Sequence, residues 1–301
     1  MAGTTLTSGE RFLGRIVIGL CGYYDVLLED GRIVQTVARG KFRKEKIKPL
    51  AGDVVYVLQN DEQQGVFGCV DEILPRKNAF VRPPVANIDR VIVVLSASVP
   101  HADLMLVDKL LIQAIRAGVE PMICISKADD GQEDYIQSLL DDYRVFPCIV
   151  TSSKTGKGVE EFRAALSHGV VAVAGQSGVG KSSLLNAAYP EFKLEVGSLS
   201  RKVERGKHTT RASQLFKLSE DSFVLDTPGF SLMETELIDP ALLKESYPEF
   251  AGLDDKCRFG TDCLHQGEPG CAAKELDLPK GRMQRYAELL VEARQRWKNR
   301  Y

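Results

Sequence analysis

The segment from Gly175 to Ser182 reads Gly-Gln-Ser-Gly-Val-Gly-Lys-Ser, the pattern G-x-x-x-x-G-K-[ST]. It follows the apolar run Val170–Ala174, which is typical of a strand, and precedes Ser183–Ala188, which is typical of a helix. Glycines let successive backbone N–H groups point into one anion-sized concavity, and the helix start adds the positive end of its dipole. We therefore predict a nucleotide site in which Lys181 reaches the β- and γ-phosphates and the Ser182 hydroxyl ligates Mg²⁺.

A second motif, Ser126–Asp129, stands directly after the predicted strand Met122–Ile125. The Asp129 carboxylate can accept two hydrogen bonds from guanine, whereas adenine would present an acceptor nitrogen and leave the carboxylate unpaired. The stem of Lys127 can lie along the base. Thr151–Lys154 follows another predicted strand and can complete the base pocket through backbone N–H groups. These motifs favour guanine as the base.

Two further segments can contact the γ-phosphate and Mg²⁺. Asp226–Gly229 follows the predicted strand Phe223–Leu225, so that Asp226 can hold Mg²⁺ through water and the Gly229 N–H can meet the γ-phosphate. Either Thr209 or Thr210 can supply a second Mg²⁺ ligand from a mobile loop. Each short motif alone is common, but their joint occurrence at predicted strand ends indicates one site.

Phe230 stands where Ras-type enzymes carry the glutamine that orients the attacking water. A phenyl ring cannot orient water, so we expect unaided hydrolysis to be slow. His208 is the best local substitute because an imidazole exchanges hydrogen bonds with water near neutral pH. The alternative for His208 is an ordinary surface histidine.

The predicted site residues form two sets. The predicted nucleotide contacts are Ser126, Lys127, Ala128, Asp129, Ser152, Ser153, Lys154, Gly175, Gln176, Ser177, Gly178, Val179, Gly180, Lys181, Ser182 and Ser183. The predicted catalytic residues are His208, Thr209, Thr210, Asp226 and Gly229.

Near the C-terminus, Cys257, Cys263, His265 and Cys271 place three thiolates and one imidazole within a short segment. Three cysteines and one histidine form a tetrahedral set for structural zinc, which leaves no open position for a substrate water. The alternative is a group of unrelated buried thiols. The other four cysteines are scattered among apolar residues, which is typical of buried thiols.

The chain has 301 residues, of which 44% are hydrophobic and 27% charged, the balance of an ordinary globular protein of two or three domains. No apolar run approaches the roughly eighteen residues that span a bilayer, so no membrane partner is expected. The N-terminus lacks the basic-then-apolar layout of a signal peptide, which predicts a cytoplasmic location. In that compartment, cysteines serve as free thiols or metal ligands rather than disulfides.

Residues 1–10 are predicted to be flexible, and residues 11–74 to form five short strands of a small closed barrel such as an OB-fold. Within this region, Arg39–Lys48 carries six basic residues and one acidic residue, with Phe42 among them. Phosphate contacts by the basic side chains and base stacking by Phe42 would suit RNA binding. A solvated loop is the alternative.

From Pro75 onward, apolar strands alternate with helical patterns, which predicts an α/β fold with a parallel sheet covered on both faces. We predict a nucleotide-binding domain over residues 75–232 and a helical zinc-binding domain over residues 233–301. The predicted C-terminal helix Gly281–Arg300 carries several basic residues, which indicate either a second RNA surface or a solvated face. They are Arg282, Arg285, Arg294, Arg296, Lys298 and Arg300.

These motifs together resemble the RsgA/YjeQ family, circularly permuted GTPases of ribosome assembly. In ordinary GTPases the phosphate loop precedes the base-selecting N-K-x-D motif, whereas here Ser126–Asp129 precedes Gly175–Ser182. A permutation leaves the pocket intact if the joined ends were close in space. Two departures stand out: Ser126 replaces the usual Asn, and five rather than four residues separate Cys257 from Cys263.

The resemblance implies a fold of three parts: an N-terminal OB-fold, a circularly permuted P-loop GTPase domain and a C-terminal helical zinc domain. It also implies an Mg²⁺-dependent GTPase that binds the small ribosomal subunit and its rRNA, acts late in subunit maturation and is stimulated by the subunit. The resemblance further implies that GTP is hydrolysed to GDP and phosphate and that His208 has a role in this step. We expect the protein to be a monomer. A P-loop ATPase or kinase, and a non-catalytic GTP-gated RNA chaperone, are the alternatives.

The permutation also has a mechanical implication. The segment Asp226–Phe230 runs almost directly into the predicted zinc domain. We hypothesise that loss of the γ-phosphate moves this domain relative to the GTPase core and so changes the affinity for the ribosome.

Overall fold

A computed structural model describes residues 9–63, 65–80, 83–99, 101–192, 213–226 and 238–299. These residues form two compact units. One unit contains the described residues within 9–90, 165–173 and 213–226, and the other those within 91–164, 174–192 and 238–299. Of the N-terminal residues predicted to be flexible, residues 1–8 lie outside the described residues. The predicted domain limits remain predictions.

The first unit contains a closed five-stranded barrel. Its strands are β1 (Arg11–Leu20), β2 (Tyr23–Leu28), β3 (Ile33–Ala38), β4 (Val54–Gln63) and β5 (Val66–Ile73). Strand β1 pairs with both β2 and β4, and β2 pairs with β3. Strand β5 closes the ring by pairing parallel with β3 and antiparallel with β4. This circuit leaves no free edge, and it confirms the predicted N-terminal β-barrel.

The barrel closes around a small apolar core. Ile16, Val26, Val55, Val57 and Val70 are fully buried inside it. They come from four of the five strands, because alternate residues of each strand point inward. Hydrophobic burial of these side chains therefore stabilises the whole ring rather than one hairpin.

The basic segment after β3 forms a short helix, α1 (Gly40–Lys44), on which Phe42 is buried in the barrel core. The prediction that Phe42 stacks on RNA bases is therefore wrong. One helical turn directs this apolar ring inward, where it contributes to the core, and directs the neighbouring basic side chains outward. Arg43, Lys44, Lys46 and Lys48 are all exposed.

The rest of the described chain contains further strands and helices, which alternate between residues 90 and 188 as predicted. In order these are β6 (Ala79–Phe80), β7 (Val85–Ala86), β8 (Arg90–Ser96), α2 (Leu104–Arg116), β9 (Glu120–Ser126), α3 (Glu133–Asp142), β10 (Cys148–Val150), α4 (Val159–Ala165), β11 (Gly169–Ala174), α5 (Lys181–Ala188), β12 (Gln214–Lys217), β13 (Ser222–Asp226) and, at the end, α6 (Lys280–Lys298). In the second unit the strand order is β10–β9–β8, with β10 parallel to β9. In the first, β11 runs parallel to β13, which pairs antiparallel with β12.

Short 3₁₀ turns occupy most of residues 240–275, and α6 packs against them through Tyr286, Leu289 and Leu290. For Arg282 and Arg285, the two alternatives of a second RNA surface and a solvated helix face are both wrong. Arg282 is fully buried and Arg285 largely buried, and both pair with carboxylates on other helices. Arg294, Arg296 and Lys298 are exposed.

None of the helices in the described part of the chain combines the length and apolar character needed to cross a membrane.

A buried ion pair ties the start of β4 to the segment that leaves the barrel. Asp53 is fully buried and accepts hydrogen bonds from the Arg76 guanidinium at 2.7 and 2.8 Å and from the Leu50 N–H at 2.7 Å. We expect Arg76→Met to lower the free energy of unfolding by about 3 kcal/mol, because it leaves a buried carboxylate without its counter-ion. Urea-induced unfolding would measure the change.

The neighbouring Lys77 provides a matched control. It pairs with Asp89 at 2.7 Å, but its side chain is 70% exposed. We expect Lys77→Met to cost less than about 1 kcal/mol. Equal losses for the two variants would contradict a special role for the buried pair.

Candidate nucleotide and metal sites

The predicted phosphate loop lies between β11 and the start of α5. Gly175, Gly178 and Gly180 have φ values of 138°, 81° and 97°, which side-chain-bearing residues rarely adopt. A Cβ atom on Gly175 would lie 2.2 Å from the Val94 carbonyl oxygen at the end of β8. Glycine is therefore required at Gly175 for both backbone conformation and space.

Lys181 opens α5 and is buried within the loop. Its ammonium donates hydrogen bonds to the carbonyl oxygens of Gly175 at 2.7 Å and Gln176 at 2.8 Å. These bonds hold the cation at the concave side of the loop. The adjacent Ser182 is also buried, in the first turn of the helix.

The base-selecting motif contacts this loop through Ser126. Its hydroxyl lies 3.0 Å from the Leu95 carbonyl oxygen and 2.5 Å from the Val179 carbonyl oxygen. A hydroxyl has one proton and so donates to one carbonyl at a time. A serine in place of the usual asparagine thus still joins the two loops. Lys127, whose φ is 57°, brings its side chain beside Gly180.

The structure also brings the two predicted base-binding segments together. The Asp129 carboxylate accepts a hydrogen bond from the Ser152 hydroxyl at 2.6 Å and pairs with Lys154 at 3.2 Å. The hydrogen bond from Ser152, supported by Lys154, lowers the pKa of Asp129 below its ordinary value. The backbone N–H of Ala128 donates to Thr151 at 3.0 Å. Asp129 is thus held as a carboxylate with lone pairs left for a base.

Other predicted residues are less fully described. Asp226 is the last residue of β13, and its side chain lies outside the described part of the structure. His208, Thr209, Thr210 and Gly229 also lie outside the described residues. Their roles remain predictions.

The sequence reasoning missed the contacts from β8 and α2. The Asp103 backbone N–H donates to the Gln176 side chain at 3.2 Å, and the Leu95 carbonyl oxygen accepts from the Ser126 hydroxyl. The Val94 carbonyl oxygen lies close against Gly175 and leaves no room for a side chain there. Backbone groups far away in sequence leave no motif. The only local signal was Asp103, which caps α2 by accepting from the Leu106 N–H.

The four predicted metal ligands converge in the C-terminal segment. The ligand atoms of Cys257, Cys263, His265 and Cys271 all lie within 4.8 Å of one another, and all four residues are buried. Nδ1 of His265 lies 3.6 Å from the sulfurs of both Cys257 and Cys271. The cysteines are free thiols rather than disulfides. This cluster can hold a metal ion.

Polar groups that the sequence reasoning missed surround the cluster. Nε2 of His265 lies 3.4 Å from the Asp254 carboxylate, which fits the second ring nitrogen of a metal-binding histidine. Glu268 accepts from the backbone N–H groups of Leu264 at 3.0 Å and Gln266 at 2.7 Å, which fixes the turn between ligands. Gly260–Asp262 forms a 3₁₀ turn between Cys257 and Cys263.

Comparison with known families decides the assignment of the chain. The model of the RsgA GTPase matches residues 73–236, and the model of the RsgA N-terminal domain matches residues 13–67. The chain belongs to the RsgA GTPase family. The resemblance inferred from the motifs is thereby confirmed.

Individual RsgA relatives align over nearly their whole length. A protein of Caldanaerobacter subterraneus subsp. tengcongensis named "Small ribosomal subunit biogenesis GTPase RsgA" is 41% identical, covering 97% of this chain and 99% of the relative. A protein of the same name from Geobacillus thermodenitrificans is 40% identical, with coverage of 96% and 99%.

Two solved structures resemble this RsgA-family fold. The crystal structure of YjeQ from Thermotoga maritima has a TM-score of 0.79 and 34% identity, covering 94% of this chain and 99% of that one. The structure of YloQ, described as a circularly permuted GTPase, has a TM-score of 0.77 and 32% identity, with coverage of 98% and 99%. The predicted α/β fold with a permuted GTPase domain and an N-terminal barrel is confirmed.

We expect the purified protein to contain one tightly bound metal ion per chain. Cys271→Ser should lose that ion because it removes one of four ligands, and it should unfold at a lower temperature. Elemental analysis of the dialysed protein and thermal denaturation would measure both effects.

Cys21→Ser is the matched control, because Cys21, contrary to the prediction of a buried thiol, is an exposed free cysteine between β1 and β2. It should leave metal content and melting temperature unchanged. Full metal content in Cys271→Ser would contradict the assignment of the site.

Proposed function

We propose that this RsgA-family protein hydrolyses GTP to GDP and phosphate in the biogenesis of the small ribosomal subunit. The observation that carries this proposal is the contact between the Ser126 hydroxyl and Val179, which joins a guanine-selecting motif to a phosphate loop. The names of the relatives and the family model support the biological setting. We further propose that it acts as a cytoplasmic monomer.

Each part of the site has a role in this proposal. Asp129 accepts the guanine N1–H and N2 amine, and Lys127 lies along the base. The backbone of the phosphate loop and Lys181 hold the phosphates. Ser182, Asp226 through water, and Thr209 or Thr210 would hold Mg²⁺. The bound ion would neutralise the charge that develops on the phosphates.

Hydrolysis also needs an oriented water molecule. Phe230 cannot provide this, so we assign the task to His208, aided by the small subunit. The proposal that the subunit stimulates turnover follows from the absence of a glutamine at this position in the sequence. The Gly229 N–H is assigned to the γ-phosphate.

The decisive experiment is phosphate release from GTP as the concentration of small ribosomal subunits is increased. We expect the rate to rise with subunit concentration, and His208→Ala to lower the stimulated rate by at least about a hundredfold, the usual contribution of a positioned acid or base. The affinity for GTP should stay nearly unchanged, because His208 is assigned to the water rather than to the base.

Three outcomes would contradict parts of this proposal. Equal stimulated rates in His208→Ala would remove His208 from the mechanism. Competition by ATP as strong as by GTP would favour a P-loop ATPase. GTP binding without phosphate release, with or without subunits, would favour the non-catalytic RNA chaperone.

We propose that the metal ion is structural Zn²⁺. In a tetrahedral site with Zn–S near 2.3 Å and Zn–N near 2.0 Å, sulfur and nitrogen ligands lie about 3.6 Å apart. The two separations between His265 and cysteine sulfurs are both 3.6 Å. Four protein ligands would leave no coordination position for substrate, so the ion would hold the fold together.

We propose that α1 and the residues after it contact rRNA phosphates. Arg39 and Lys41 are partly neutralised by Asp71, but Arg43, Lys44, Lys46 and Lys48 are exposed and form no ion pair with any residue that the structure describes. With Phe42 buried, this surface offers charge without stacking. Binding should therefore depend steeply on salt and weakly on sequence.

We expect the double substitution Lys44→Ala with Lys46→Ala to weaken binding to small-subunit rRNA. Two lost phosphate contacts should reduce the slope of log affinity against log salt by about 1.5. Filter binding between about 50 and 200 mM salt would measure the slope.

Arg32→Ala is the control, because Arg32 is an exposed barrel cation already paired with Asp30 at 2.6 Å. Its salt slope should match that of the unmodified protein. An unchanged slope in the double variant would rule out this surface.

A further inference from the structure

A cluster of buried charges joins the C-terminal helix α6 to helices α2 and α3. Its centre is Asp108 on α2, a fully buried carboxylate that accepts three hydrogen bonds. Its donors are Arg282 at 2.7 Å, Arg285 at 2.7 Å and the Tyr143 hydroxyl at 3.0 Å. A carboxylate this deeply buried is tolerated only because it is fully paired.

Two more carboxylates complete the cluster. Arg285 also donates to Asp142, the last residue of α3, at 3.0 Å, and Arg282 pairs with Glu249. Burial by itself lowers the pKa of Arg282, but Asp108 and Glu249 outweigh burial and raise it above its ordinary value. We refer to Asp108, Asp142, Glu249, Arg282 and Arg285 as the buried charge cluster.

A glycine at the start of α6 allows this helix to lie close to the end of α3. Gly281 lies against Asp142, and a Cβ atom on Gly281 would lie 2.6 Å from the carboxylate oxygen. Arg282 also stacks over Tyr247, with its guanidinium carbon 4.5 Å from the ring centre. Buried ion pairs often stabilise a fold no better than apolar side chains of similar volume, so we infer that these charges serve to impose a single geometry.

Both helices held by the cluster begin beside the nucleotide loops. Asp103, the N-cap of α2, donates a hydrogen bond from its backbone N–H to the Gln176 side-chain oxygen in the phosphate loop. Helix α3 follows the Asp129 motif, and Gly131 between them is in close contact with Ala97. A shift of α2 or α3 would therefore displace groups that shape the nucleotide site.

The same helix contacts the metal-binding segment. The Tyr286 hydroxyl donates to the Leu264 carbonyl at 2.8 Å, next to the ligand His265. The ring centre of Phe250 lies 4.6 Å from that of His265 and 5.0 Å from that of Tyr286. Helix α6 is thus shared by the metal segment and by the helices of the nucleotide site.

We propose that Arg282 and Arg285 are positioning residues for guanine-nucleotide binding, which act through Asp108 and Asp142 on α2 and α3. The inference rests on the proposed GTP site and adds residues far from its motifs. The hypothesis that loss of the γ-phosphate moves the metal segment relative to the GTPase core stays a prediction. The cluster fastens that segment to the helices that begin beside the nucleotide loops.

The test compares binding of a fluorescent GDP analogue to the full-length protein and to three variants. Arg285→Gln removes two ion pairs of the cluster, and Gly281→Ala pushes Asp142 away without changing any charge. Lys109→Met is the matched control, because the Lys109–Glu292 pair at 2.9 Å also joins α2 to α6 but is partly exposed. Circular dichroism defines the temperatures at which each variant is folded.

We expect Arg285→Gln and Gly281→Ala each to weaken GDP and GTP alike by at least about fivefold, the lower end of measured couplings between sites. Lys109→Met should change affinity by less than about twofold. The preference for GTP over ATP should persist, because Asp129 is unaltered. Hydrogen exchange should rise in the helices α2 and α3.

Unchanged affinity in folded Arg285→Gln or Gly281→Ala, with only a lower melting temperature, would overturn the inference and leave the cluster a purely structural role. If Arg285→Gln does not fold, Gly281→Ala decides alone. Failure of the unmodified protein to bind guanine nucleotides would instead refute the proposed function itself.

Discussion

One hydroxyl group connects the two halves of the nucleotide site. Ser126 ends β9, and its proton is available to the carbonyl oxygens of Leu95 and Val179. Because Ser126 is nearly fully buried, water cannot replace either contact. The Asp129 motif and the predicted phosphate loop, which lie far apart in the sequence, are thus held next to each other. An asparagine could form such a link with donors to spare, whereas the serine has only one proton.

Ser126 joins two loops that lie far apart in the permuted chain. The guanine-selecting motif precedes the phosphate loop, and the two are brought together by strands and helices between them. The buried charge cluster holds α2 and α3, which begin beside these loops, through Asp108 and Asp142. The metal segment packs against α6 as well and belongs to the same compact unit. The nucleotide loops and the metal segment therefore share one framework.

The barrel divides its basic segment between structure and binding. Phe42 contributes to the core, Arg39 pairs with Asp71, and the later cations stay exposed. A surface of this kind attracts phosphate by charge and counter-ion release, without reading bases.

Motifs with a fixed chemistry could be recognised from the sequence. The glycine pattern of Gly175–Ser182, the carboxylate of Asp129 and the spacing of Cys257 to Cys271 each depend on residue type and local order. The alternation of strands and helices and the five barrel strands follow from local periodicity, which the sequence also carries. These features determined the family and the fold class.

Tertiary structure decided where the ambiguous charged and aromatic residues lie. Phe42 and Arg282 have neighbours in sequence that are typical of an exposed RNA surface, yet both are buried, because their partners come from distant segments. The contacts of Ser126 with Leu95 and of Asp103 with Gln176 use backbone groups or an amide, which have no sequence signature. Burial and pairing are properties of the assembled fold, since the free energy of a charge depends on what surrounds it. The sequence by itself determined which chemistry the chain contains, and only the tertiary structure decided which of those groups meet.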